Sequence, residues 1–239
     1  MKRIHLISGP RNLSTALMYS FAQRPDTQVV DEPFYAHYLS NHPEVEHPAR
    51  QVTLDAQSHD WRTVRDQVVL GPYDKEVLFL KNMAHHLVKM EVDWLPEVTN
   101  LFLIRHPRQL IASFAVNIPN PIMRDIGLDQ SYRLWRKLEA EGHPTVVMDS
   151  AELLKDPAGF LPKLCEALGI PFTDRMLSWE AGPRPEDGPW APHWYANVHA
   201  STGFAKQKTS ERAFPEHLQP LLDEALPYYH HLSENAIRL

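Results

Sequence analysis

Cysteine, glycine and basic residues are all scarce in this chain, and each shortage excludes something. Cys165 is the one cysteine among 239 residues. No intrachain disulfide can form, which suits a reducing compartment. Cys165 lies in the apolar helical pattern Phe160, Leu161, Leu164, Cys165, Leu168. Nine glycines fall well below the usual usage of roughly 7%, so any nucleotide site here must manage without a glycine-rich cradle. Lys and Arg number 24 against 30 Asp and Glu, a net charge of −6. A broadly basic, nucleic-acid-binding surface is therefore disfavoured and no nucleic-acid partner is expected. No stretch approaches the roughly 18 apolar residues of a membrane span. The few apolar residues after Lys2 and Arg3 are too short for a signal segment. The expectation is a soluble, cytoplasmic protein with no membrane partner. Its oligomeric state is unreadable from sequence.

What is present reads as one α/β domain over residues 1–239. Short runs rich in Val, Ile, Leu and Phe predict strands at Ile4–Ile7, Gln28–Asp31, Glu76–Lys81, Asn100–Arg105 and Thr145–Met148. Between them, helical spacing begins near Ser14, at Pro107 with Leu110, Ile111 and Phe114, at Leu128 with Tyr132, Trp135 and Leu138, and again from Leu218 to Tyr229. The alternation predicts a parallel sheet of about five strands with helices on both faces. Two segments, 34–74 and 181–209, break it and are rich in His, Pro and Trp. They carry much of the excess proline, 21 residues in all, and long irregular segments of this kind are usually functional loops or lids. His37, His42 and His47 recur every five residues, but Pro43 and Pro48 interrupt any shared helix, so no metal site is expected. Trp179, Trp190, Trp194 and Tyr195 suit either a pocket wall or the pinning of a long loop. His230 and His231 read as surface residues.

The turn after the first strand, Ser8-Gly9-Pro10-Arg11-Asn12-Leu13-Ser14-Thr15, has the makings of an anion site. Unpaired amides at a helix start and the helix dipole both favour negative charge there. Gly9 permits unusual dihedrals, Pro10 stiffens the turn, Arg11 adds a cation, and Ser14 and Thr15 add hydroxyls. Ser14 and Thr15 stand where a Walker A loop needs Gly and Lys, so a magnesium-nucleoside-triphosphate site is weakened. The plain alternative is a helix capped by Ser14 with Arg11 in a surface ion pair.

Ile7–Leu17, ISGPRNLSTAL, resembles the 5′-phosphosulfate loop of the sulfotransferase family. Leu101–Phe114, LFLIRHPRQLIASF, is similar to the family's 3′-phosphate element, a strand ending in Arg with a Ser eight residues on; Arg105 and Ser113 hold those places. Weaker likenesses follow in VVMDSAELLKDP with LCEALGIPF, and in STGFAKQKT, which resembles the basic segment that closes over the cofactor. Leu13 stands where many members have Gly, and Met148-Asp149-Ser150 replaces a common Tyr-Glu-Asp.

The resemblance implies a P-loop NTPase-like topology and transfer of a sulfuryl group from 3′-phosphoadenosine 5′-phosphosulfate, without metal, to a hydroxyl or amine of a small molecule. It implies that Gly9, Pro10, Arg11, Asn12, Leu13, Ser14 and Thr15 hold the 5′-phosphosulfate, with Arg11 also neutralising the leaving group. Arg105 and Ser113 would take the 3′-phosphate, Lys206 would come from the closing segment, and Lys81 would assist the phosphosulfate. Segments 34–74 and 181–209 would form the acceptor pocket and cofactor lid. Glu32, in a Glu-Pro context at the end of the second strand, is the leading catalytic base and Asp31 its near competitor. His85 is the alternative used by another branch, although Met83 occupies that branch's register. Two other functions compete: a small-molecule kinase with an atypical phosphate loop, and a catalytically silent nucleotide-binding protein, which Leu13 keeps open.

Overall fold

The computed structural model describes residues 1–205 and 213–239. Among these, five strands form one parallel sheet: β1 (Lys2–Ser8), β2 (Thr27–Asp31), β3 (Val77–Met83), β4 (Thr99–Ile104) and β5 (Thr145–Asp149). Their order is β2-β3-β1-β4-β5. The first strand is central and the chain crosses from one side of it to the other between β3 and β4. In parallel sheets ligands collect at the carboxyl edge where the strand order changes direction. Ser8, Asp31, Met83, Ile104 and Asp149 end their strands on that edge.

Both faces of the sheet are covered because each strand alternates its side chains between two cores. Leu78, Leu80, Phe102 and Ile104 pack on one face with the helices Pro107–Phe114, Leu128–Ala140 and Gln219–Glu234. Phe79, Leu101 and Leu103 pack on the other with α1 (Ser14–Ala22) and the helix Pro157–Leu168, where Cys165 is a buried free thiol. All seven residues of β3 are buried, which is why that segment reads as an unbroken apolar run around Lys81.

Each expected strand is present within two residues of its expected ends. Segment 34–74 is less irregular than its composition suggests. It forms α2 (Tyr35–Asn41), a helix at Arg50–Ala56 and another at Trp61–Val64 that tightens into a π turn. Prolines 43 and 48 break it into pieces too short for a clear period. Segment 181–205 carries only the single turns Ala191–Trp194 and Ala196–His199.

Candidate active site

The turn between β1 and α1 takes its shape from two non-glycine residues. Arg11 has φ 59° and Leu13 has φ 68°, so Leu13 adopts the left-handed conformation that a glycine there would adopt freely. Gly9, expected to supply unusual dihedrals, does not have positive φ. It is needed for space: a Cβ there would lie 2.5 Å from the Ile126 carbonyl oxygen. Ser14 is the first residue of α1 and does not cap it, because the cap position belongs to Leu13. Asn12 ties the turn to the sheet, its side-chain amide donating to the Leu103 carbonyl at 3.1 Å. No acid occupies the first turn of α1.

Arg105 follows β4 and its guanidinium donates to the Arg11 carbonyl at 2.7 Å and to Gln109 Oε1 at 3.3 Å. Ser113 lies on the helix Pro107–Phe114, which starts with proline at its first position, a placement that suits the missing N–H. Two turns along, its Oγ accepts from Arg11 Nε at 3.2 Å. Arg11, Arg105 and Ser113, separated by about a hundred positions in sequence, are thus one cluster of donors.

A second cluster lies on β2 and β3. Asp31 is the direct register partner of Lys81, and Lys81 is fully buried. Its ammonium donates to Asp31 Oδ1 at 2.9 Å, to Glu32 Oε1 and to Tyr195 Oη at 2.6 Å. Burial alone would lower its proton affinity, but Asp31 and Glu32 outweigh that and raise it. Tyr195 in turn donates to Asp31 Oδ2 at 2.7 Å and accepts from Trp190 Nε1 at 3.0 Å. Glu32 sits just past β2 with φ 44°, a strained conformation of the kind that concentrates at functional sites. Burial pushes its carboxyl up to about 7, against the opposing pull of Lys81. A carboxyl poised there suits proton transfer at neutral pH.

Both clusters open on one cleft of about 380 Å³. Its lining includes Pro10–Ala16, Arg105 and Ser113, then Glu32, Lys81 and His85, and aromatic walls from Tyr35, Phe114, Trp190, Trp194 and Tyr195. Trp190, Trp194 and Tyr195 therefore belong to the pocket, whereas Trp179 packs in the core beneath α1. Segment 34–74 contributes Tyr35 and His47, the two joined by a 2.6 Å hydrogen bond. His85 lines the cleft, but burial pushes its imidazole down to about 3, so it accepts protons poorly. His37 is held by the carbonyls of His59 and Val88, and His42 by Glu44. Among the described residues no group of His, Cys, Asp or Glu is arranged to hold a metal ion. No helix among them is long and apolar enough to cross a membrane. Lys206 lies outside the described residues.

A family model described as "Sulfotransferase domain" matches residues 1–236. The chain belongs to the sulfotransferase family. The fold agrees. The sulfotransferase domain of the Synechococcus PCC 7002 olefin synthase superposes with a TM-score of 0.60 at 18% identity, covering 96% of this chain and 94% of that one. A sulfotransferase from Alicyclobacillus acidocaldarius gives 0.57 at 14%, covering 100% and 97%. Retinol dehydratase, solved with androsterone and inactive cofactor PAP, gives 0.50 at 13%, covering 100% and 83%. In sequence, this sulfotransferase-family chain is 39% identical over 230 residues to the Arabidopsis thaliana protein named branched-chain-amino-acid aminotransferase-like protein 2. It is 40% identical over 227 residues to protein 1 of the same name. It spans only 41% and 40% of the lengths of those relatives.

Two members of the sulfotransferase cleft escaped the motifs. Tyr195 and Trp190 come from the segment with least periodicity, yet their hydroxyl and indole N–H join the Asp31–Glu32–Lys81 cluster. The signal that could have found them is Lys81 itself: a lysine that follows the apolar run Val77–Leu80 into a buried strand must be paired from elsewhere in the chain. Lys81, expected to assist the phosphosulfate, instead has its three ammonium donors engaged by Asp31, Glu32 and Tyr195.

Proposed function

We propose that the chain is an enzyme that transfers a sulfuryl group from 3′-phosphoadenosine 5′-phosphosulfate to a hydroxyl or amine of a small molecule, in a reducing cytoplasmic setting and with residues 1–239 acting as one catalytic unit. The observation that carries this reading is a single cleft that joins a set of anion donors to a carboxyl poised near neutrality. The donor set fits the nucleotide in character. Arg11, Arg105, Ser113, Ser14 and Thr15 all offer N–H or O–H, and no acid interrupts them at the start of α1.

The donor substrate, when bound, supplies the sulfuryl group and an anionic leaving group. Arg11 and the amides from Asn12 to Thr15 hold the 5′ end and neutralise the charge that grows there. Arg105 grips the 3′-phosphate as a bidentate donor and Ser113 adds one bond. Glu32 takes the proton of the acceptor hydroxyl or amine at a carboxylate oxygen. Tyr35, Phe114 and Trp194 offer apolar walls for the body of the acceptor and keep water from the reacting groups.

The test follows sulfuryl transfer in the wild type, Arg105→Ala and Glu32→Gln. Loss of the guanidinium should raise KM for the donor about 10- to 100-fold, from the roughly 1.5–3 kcal/mol of a charge-assisted bond. Loss of the carboxylate should lower kcat by about 10²- to 10⁴-fold with little change in donor KM. A wild type that instead uses only ATP with magnesium would make the chain a kinase. Binding without turnover of any acceptor would make it a silent binder.

A further inference from the structure

Asp31 and Glu32 are adjacent carboxylates sharing one buried ammonium, and chemistry that needs a single proton acceptor must distinguish them. The distinction does not come from their place at the end of β2, where they are consecutive residues, nor from Lys81, which donates to both. It comes from residues 188–195. Asp31 Oδ2 accepts from Tyr195 Oη at 2.7 Å and from the Gly188 amide at 3.3 Å, in addition to the ammonium on Oδ1. Asp31 is thus an acceptor in three contacts, two of them with the segment over the cleft. Glu32 Oε1 lies 3.4 Å from Tyr195 Oη, whose one proton already goes to Asp31. Its other oxygen, Oε2, has His86 Nδ1 at 3.8 Å, beyond hydrogen-bond distance.

Resting on the sulfuryl-transfer reading above, we propose that Tyr195 is a positioning residue that keeps Asp31 occupied by donors and leaves Glu32 as the proton acceptor. The mechanism is a division of donors. Tyr195 satisfies Asp31 with its proton and presents its oxygen lone pairs to Lys81 Nζ and Trp190 Nε1, so the tyrosyl oxygen has a defined role in every direction. Asp31 then need not draw the ammonium away from Glu32. Without that hydroxyl, Lys81 moves its share of charge toward Asp31, and Glu32, facing Lys81, Asp31, Tyr35, His86 and Tyr195 in a dry site, holds its proton more tightly.

Tyr195→Phe in the full chain removes the oxygen and keeps the ring. The expected result is a fall in kcat of about tenfold or more at pH 7, an unchanged KM for the phosphosulfate donor, and an acid limb of the kcat profile moved to higher pH. The same titration can be followed without turnover by ¹³C NMR of glutamate carboxyl carbons. One resonance, absent from Glu32→Gln, should titrate near 7 in the wild type and move upward by about half a pH unit or more in Tyr195→Phe. Should Tyr195→Phe not fold, Trp190→Phe carries the measurement: losing the indole donor to the tyrosyl oxygen weakens the hydroxyl's own donation to Asp31, so the Glu32 titration should move upward by a smaller amount. A folded variant whose Glu32 titration is unmoved overturns the proposal. A wild type inactive toward every acceptor would overturn the reaction assigned above, while the NMR titration still decides the role of Tyr195.

Discussion

Leu13 occupies φ 68°, ψ 13°, a conformation that costs a residue with a Cβ about 1–2 kcal/mol. The departure from glycine therefore changes the strain of the turn and not its shape. Leu13→Gly is expected to keep nucleotide affinity. Leu13→Val, whose branched Cβ crowds the same conformation, should lower stability by about 1–2 kcal/mol and weaken binding; calorimetric titration with 3′-phosphoadenosine 5′-phosphate beside a thermal melt checks both. Glu32 yields a pH prediction of definite sign. Its carboxyl is raised to about 7 by burial and must be ionised to accept a proton, so kcat should rise with pH through about 7 and fall below it. A profile flat between pH 6 and 8 would remove Glu32 from that role. At this scale the motifs singled out Arg11, Arg105, Ser113 and Glu32, and all four line the one cleft, because each sits at a strand end or turn with a local signature. Motif register alone ranks Glu32 above His85; what it could not give is that burial drives their proton affinities in opposite directions, because burial is not a local property.

The turn after β1 passes close against the short helix Met123–Ile126. Gly9→Ala would drive a methyl against the Ile126 backbone carbonyl, with no flexible side chain to yield. The expected cost is about 1–3 kcal/mol, read as a lower melting temperature together with weaker nucleotide binding, because the same turn carries Arg11. A variant as stable as the wild type would mean that the helix gives way. Strands and long helices could be read from periodicity because β3 and β4 each serve two cores and the helices Leu128–Ala140 and Gln219–Glu234 bury one stripe. Segment 34–74 resisted, since its helices run only four to seven residues and are held by contacts from distant chain, such as Gln57 donating to the Glu32 carbonyl at 3.1 Å.

The whole molecule should respond to ligand and to acid. At about a hundredfold its dissociation constant, 3′-phosphoadenosine 5′-phosphate stabilises by roughly 2.7 kcal/mol, which for a chain of this length raises the melting temperature by roughly 5–10 °C. The shift should need no magnesium, and a response confined to ATP with magnesium would favour the kinase. Acid acts through buried imidazoles. Burial lowers His5 to about 4 and His85 to about 3, and lowers His86 as well. Burial lowers His47 and His106 as well, so from about 6.5 downward the unfolded chain takes up protons at these histidines that the native one resists. Glu32, raised from 4.5 to about 7, acts oppositely and offsets one of them. With more histidines resisting protonation than carboxyls holding it, stability is predicted to fall as pH drops from about 6 to 5. Urea melts at those pH values measure it, and equal midpoints would refute it.

By itself the sequence determined the strand set, the two-faced sheet and the candidate residues of the turn after β1 and the end of β4. Each of these depends on spacing within one stretch of chain or on a short motif at a strand end. Only the tertiary structure decided that Arg11 meets Ser113, that Lys81 is consumed by two carboxylates and a tyrosine, and that Tyr195 reaches Asp31 across 164 positions. Those facts depend on which strands become neighbours. In an order of β2-β3-β1-β4-β5, proximity at the carboxyl edge bears no relation to distance along the chain.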